Sequence, residues 1–200
     1  MKPGSLLRCA ALLCATQMLT APLAVADPAA IVSAKRALQD AVNHGDPQAL
    51  LAARARFPGV SAADPADPLL HYYVAYATWR AVPLMKDKDQ ARDLGDDGLD
   101  HLDKALAQDK KFAEAVALKG GLQGMLISYK PGSMMTLGPQ SGANCAQALG
   151  MAPDNPRVQL LNAVGVIHKP PALGGGAGKA VPLLEEAQAA FAAAVVADST

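Results

Sequence analysis

The sequence predicts an all-α protein of about eight helices, stacked as antiparallel pairs. Three observations carry this expectation. The chain is rich in Ala and Leu, its aromatic content is only 4%, and long stretches of alternating apolar and polar residues are absent. Gly- and Pro-containing breaks separate segments whose apolar residues recur at helical spacing. Gly98-x3-Leu102-x2-Ala105, Ser141-x3-Cys145-x2-Ala148 and Ala180-x3-Leu184-x2-Ala187 each set a small residue, a larger one and a second small one on one helical face. Small residues at fixed spacing let neighbouring helices approach closely. A unit that recurs in this way predicts a stacked array, in which each unit buries its face on the next.

The amino terminus stands apart. Lys2 and Arg8 give a positive start, Leu6, Leu7 and Ala10 to Leu13 open an apolar stretch that resumes at Met18 and Leu19, and Ala24-Val25-Ala26 offers a small-x-small cleavage site. This is the anatomy of a secretory signal peptide over residues 1–26. A membrane anchor fits less well, because the apolar run is short and broken by Thr16, Gln17 and Pro22. A lipoprotein signal would want a small residue where Leu13 precedes Cys14. The expectation is a single domain over 27–200, periplasmic or secreted after cleavage near Ala26, with no stable membrane insertion. That domain holds one cysteine, Cys145, so packing alone must stabilise it. Eighteen basic against eighteen acidic residues leave no basic stripe for a nucleic acid or an anionic membrane surface.

Each helix has its own signals. Asp27-Pro28 opens the first, Ile31, Ala34, Leu38 and Val42 keep its period, and Gly45 ends it. Asp46-Pro47 starts the second, which carries Leu50, Leu51, Ala53 and Phe57 to a stop at Pro58-Gly59. The third runs from about Leu69 to Met85 with Pro83 near its end, and the fourth from Lys88 to Gln108. The fifth spans Phe112 to Ser128, followed by a loop from Tyr129 to Gln140 that contains Lys130-Pro131-Gly132 and Gly138-Pro139. A short sixth helix covers Ser141 to Leu149 and a seventh Pro156 to Ile167. A second long loop, His168 to Gly178, precedes the eighth, Lys179 to Ala197.

Ala105, Ala148 and Ala187, with the residues three and seven positions before each, resemble the second helix of a tetratricopeptide repeat. Their intervals exceed the repeat's period of about 34 residues, and the two enlarged loops account for the excess. Pro153 falls where the repeat commonly carries its terminal proline, and Leu118-Lys119-Gly120 approximates the first-helix signature. Over about 112–192, Met135-Thr136-Leu137-Gly138-Pro139-Gln140-Ser141-Gly142, Ala152-Pro153-Asp154-Asn155-Pro156-Arg157-Val158 and Pro171-x2-Gly174-Gly175-Gly176 are similar to a family of exported bacterial tetratricopeptide-like proteins, largely uncharacterised in function. The resemblance implies a right-handed superhelical stack of helix pairs and no known catalytic residues.

Motifs for catalysis are weak. Gly174 to Ala180 suggests a phosphate loop, but Leu173 replaces its first glycine, Ala180 replaces the magnesium-binding Ser/Thr, and no strand precedes it. His44, His71, His101 and His168 fall on different elements with none at i, i+3 or i+4, so no metal site is expected. Asp93, Asp96, Asp97, Asp100 and Asp103 read as a solvated face of the fourth helix. Cys145 reads as a buried structural thiol and Ser141 as a helix cap or a close-packing residue. Tyr72, Tyr76 and Trp79 share one face of the third helix, as a core stripe or as the lining of a peptide groove. Tyr129, Met134 and Met135 supply a loop that can fold over the array or touch a partner. The resulting expectation is a non-enzymatic adaptor or assembly factor, without cofactor or metal. It would hold a protein or peptide through Tyr72, Tyr76, Trp79, Tyr129, Met134 and Met135. The alternative is a small-ligand binder or enzyme with a pocket between the helices and the loops 129–140 and 168–178.

Overall fold

The structure, a computed structural model, describes residues 28–57 and 67–198. The expected signal peptide and the Pro58-Gly59 stop lie outside those residues. Among the described residues there are eight α-helices and no strand: α1 (Pro28–His44), α2 (Pro47–Arg54), α3 (Pro68–Ala81), α4 (Lys88–Gln108), α5 (Ala113–Leu126), α6 (Met134–Met151), α7 (Pro156–His168) and α8 (Ala177–Asp198). The all-α expectation holds.

Local chemistry explains the helix starts. Asp46, Asp67 and Asn155 each cap a helix, accepting the backbone N–H two residues on, and each precedes a proline at the first helical position. The cap satisfies an amide with no partner inside the helix, and the proline has no amide to satisfy. Asp87 caps α4 through the amides of Asp89 and Gln90. Gly45 closes α1 at φ +64°, with its N–H on the Ala41 carbonyl. Val82–Leu84 continues α3 as a short 3-10 turn around Pro83.

One boundary differs from expectation. Met134 to Gln140 belongs to helix α6 rather than to a loop, and the helix contains Pro139. Proline at that point removes the bond to the carbonyl of Met135, which is 85% exposed and faces solvent. Leu137, packed on the core, anchors the turn.

Sequential helices pair: α1 with α2, α3 with α4, α5 with α6, and α7 with α8. The first helix of each pair also touches the first helix of the next, so α1, α3, α5 and α7 run in series. Two hydrophobic clusters result. Ala34, Leu38, Leu50, Phe57, Leu70, Val74, Ala77 and Ala81 fill the amino-terminal one. Tyr72, Ala75, Trp79, Leu102, Leu118, Leu122, Leu126, Ala148, Val158 and Leu161 are among those filling the central one. Helix α3 contributes opposite faces to both.

The small residues of the recurring spacing set how close the pairs come. A Cβ on Gly98 would meet Thr78 Cγ2 at 2.7 Å and Leu122 Cδ2 at 2.9 Å, so α4 lies against both α3 and α5. Across α5 and α6, a Cβ on Gly120 would meet Cys145 Sγ at 2.8 Å and the Ser141 carbonyl at 2.9 Å. Ser141 is thus a close-packing residue inside α6, its hydroxyl donating to the Gly120 carbonyl at 2.7 Å. Ala105, Ala148, Ala180 and Ala187 are all buried.

Candidate ligand face on helix α3

Helix α3 carries four aromatic residues in eight positions, Tyr72, Tyr73, Tyr76 and Trp79. Tyr72 and Trp79 point into the central core and are 4% and 6% exposed. Tyr73 and Tyr76 are half-buried and pack against both clusters, on the seam between them. The rings form a continuous run. Phe57 stacks on Tyr73 at 5.3 Å and 13°, Tyr73 meets Tyr72 edge-on at 5.4 Å, Tyr72 stacks on Tyr76 at 6.3 Å, and Tyr76 meets Trp79 at 6.0 Å. Phe112, just before α5, closes on Tyr72 at 5.0 Å. Such offset and tilted contacts are the arrangements that aromatic quadrupoles favour.

Cations flank this run. Lys35 lies 4.9 Å from the Tyr73 ring and the Arg80 guanidinium 5.5 Å from Trp79. Arg157 pairs with Glu114 at 3.3 Å, and Asn155 donates to the same carboxylate at 2.9 Å. Burial, and then the negative field of Glu114, push the Tyr72 hydroxyl far above its ordinary range, so it stays protonated. On α5 the run faces Gly121. A Cβ there would make ordinary contacts with Trp79 Nε1 at 3.6 Å and with Leu161 Cδ2 of α7 at 3.7 Å. The glycine leaves a notch one methyl group deep between three helices.

The structure therefore unites three of the six residues singled out in the sequence, but buries two of them. Only Tyr76 of that trio offers ring surface; Tyr73, part of the same aromatic cluster in the sequence but not assigned to the binding face, and Arg80, not singled out, stand beside it. Their exposure follows from the helical offsets between Leu69, Tyr73, Tyr76 and Arg80, a stripe the sequence did carry. Tyr129 is a fastening residue. Its hydroxyl donates to the Val82 carbonyl at 3.3 Å, and neighbouring Lys130 pairs with Asp96. Met134 and Met135 stand outside the core, 49% and 85% exposed. Two shallow surface hollows of about 600 and 450 Å³ lie along α1 and α2, lined by residues such as Arg36, Asp40, His44 and Arg56. Neither is lined by Tyr, Trp or Phe.

Other expectations change on sight of the side chains. The α4 carboxylates are not simply solvated: Asp96, Asp97 and Asp103 pair with Lys130, Arg54 and Lys119 from other elements. Cys145 is half-buried, and burial pushes its thiol up from its ordinary value, which suits a packing role. In the 168–178 connection, Gly174 and Gly176 adopt φ of +87° and +99°. A Cβ on Gly175 would overlap the Lys169 carbonyl at 2.1 Å, so these glycines serve the turn. Among the described residues, no group of three or more His, Cys, Asp or Glu is arranged to hold a metal ion, and no helix is long and apolar enough to cross a membrane.

Fold and face together define an all-α protein of successive helix pairs with an aromatic, cation-flanked surface on its first-helix side. No family model matches the chain, the tetratricopeptide families included, and no curated protein matches it. Among solved structures it is similar to the HusA haemophore from Porphyromonas gingivalis. The TM-score is 0.69 at 26% identity, over 84% of this chain and 82% of that one.

Proposed function

We propose that this chain is an exported, non-enzymatic carrier of a planar, largely apolar ligand of the haem class, held on the face where α3, α5 and α7 meet. The observation that carries the reading is the likeness to a haemophore over more than four fifths of each chain. The face itself supports it. A flat ring system can stack on Tyr76 beside Tyr73, with an edge in the notch at Gly121. Lys35 beside Tyr73 and Arg80 beside Trp79 supply cations along the aromatic run for a ligand's peripheral carboxylates. The order of helix contacts is also the one a tetratricopeptide-like array would produce, and it supports that reading of the fold. The adaptor role expected from the sequence would use the same surface for a peptide. The haemophore likeness favours the small ligand over it.

Trp79, the chain's one tryptophan, is a built-in reporter. Titration of untagged protein with hemin is expected to quench its emission saturably at 1:1 stoichiometry and to shift the Soret band. Metal-free protoporphyrin is expected to quench it comparably, because stacking needs no iron. Tyr76→Ala and Gly121→Leu are each expected to weaken binding tenfold or more while the circular dichroism spectrum is kept. Absence of saturable quenching, or equal affinity in both variants, refutes the assignment.

A further inference from the structure

Helices α3 and α4 bring together two histidines that are thirty residues apart in sequence. His71 Nδ1 and His101 Nδ1 lie 2.9 Å apart, with ring centroids at 5.1 Å. On the far side of the second ring, His101 Nε2 is 4.0 Å from Asp97 Oδ2. That carboxylate is held by Arg54 of α2, which also donates from Nε to Thr78 Oγ1 at 2.8 Å. The two imidazoles thus converge through one nitrogen each, and one of them has a carboxylate behind its other nitrogen.

We propose that His71 and His101 bind a borderline divalent transition-metal ion, of the Zn²⁺ or Cu²⁺ class, through their Nδ1 atoms, with Asp97 orienting His101 from behind. Neutral imidazole suits such ions; a carboxylate on the second ring nitrogen is the usual support for a ligating histidine, and Asp97, 4.0 Å from His101 Nε2, must close in by about 1 Å to give it. A tetrahedral ion with Zn–N bonds of about 2.0–2.1 Å needs its two nitrogens about 3.4 Å apart. The rings would separate by about half an ångström, within the reach of small side-chain rotations. Two protein ligands leave the remaining positions to water or to an incoming group. The surrounding charge does not oppose the ion: Lys104 and Arg54 face the pair from α4 and α2, and Asp67 and Asp97 offset them. Desolvation favours the neutral rings, the protonation state that binds a metal ion. In the absence of metal, the Nδ1–H of one ring donates a hydrogen bond to the Nδ1 of the other, and that proton shifts to Nε2 or leaves when the ion binds. This site involves neither Tyr76 nor the Gly121 notch, and it stands or falls apart from the haem reading.

The test is calorimetric titration of the untagged protein with ZnCl2 and, separately, with CuSO4 at pH 7.5. One saturable site is expected, tighter for copper. His71→Gln and His101→Gln should each weaken it at least tenfold, Asp97→Asn by about tenfold, and His44→Gln with His168→Gln should change nothing. Helical circular dichroism and hemin quenching, recorded on the same variants, separate loss of the site from loss of the fold or of the ligand face. No saturable metal binding in the parent protein, or undiminished binding in both single histidine variants with their fold intact, overturns the assignment.

Discussion

Replacing Gly120 by alanine tests whether α5 and α6 are as closely apposed as the structure has them. On an open helix face the change would stabilise, because alanine is favoured over glycine by about 1 kcal/mol in a helix interior. At Gly120 the new methyl meets Cys145 Sγ at 2.8 Å and the Ser141 carbonyl at 2.9 Å. The second contact is backbone and cannot rotate away, so α6 must retreat. Overpacking of this kind costs about 2–3 kcal/mol. The retreat also stretches the Ser141 hydroxyl bond to the Gly120 carbonyl, worth about 1 kcal/mol. The balance is a loss of about 2 kcal/mol, or a fall in Tm of about 4–8 °C for a domain of this size. Gly142, in α6, has nothing within 4 Å of an added Cβ. Gly142→Ala is therefore expected to raise Tm by about 2–4 °C. Thermal and urea unfolding of the two variants beside the parent decide the matter. A Gly120→Ala protein as stable as the parent, with Gly142→Ala behaving as expected, would refute the close apposition.

Three further outcomes are expected. Trp79→Ala removes a nearly buried ring from the central core and should lose about 3–5 kcal/mol in urea unfolding, more than Tyr76→Ala, whose ring is only partly buried; equal losses would count against the burial of Trp79. Asn155→Ala removes the α7 cap and the bond to Glu114, and should cost about 1–2 kcal/mol by the same measurement. His71 and His101 both sit below their ordinary value of 6.5, chiefly through burial. The unfolded chain then binds more protons than the folded one below about pH 6.5, so stability is fully present above that pH and falls on acidification. Melting temperatures across pH 5 to 7.5 should show this slope, and the His71→Gln, His101→Gln double variant should flatten it.

What could be read from sequence was what is local. Asp46-Pro47, Asp67-Pro68 and Asn155-Pro156 announce helix starts because cap and proline act within three residues of each other. Gly138-Pro139 misled for the same reason. Taken alone the pair reads as a break, and only the seating of Leu137 on the core and the exposure of Met135 allow the helix to run through it. Tyr72 and Trp79 could be assigned to one face, but whether that face meets core or solvent depends on Phe112 and Leu161, contributed by other helices. The His71–His101 pair was invisible because its register comes from Gly98 lying against Thr78. The ion pairs of the α4 carboxylates likewise need Arg54, Lys119 and Lys130 delivered from elsewhere.

Helix α3 belongs to two cores at once, and this governs how the molecule comes apart. The α1–α2 pair cannot peel away without baring Leu70, Val74 and Ala81, while the side of α3 bearing Tyr72 and Trp79 stays covered. Helix α8 rests chiefly on α7, and its departure uncovers little else. Opening is therefore graded along the chain, with the outer helices the first to fray and the α3–α5 block the last refuge of protected amides. A ligand seated on that block would tighten the part of the protein that is already firmest and leave the outer helices free to breathe.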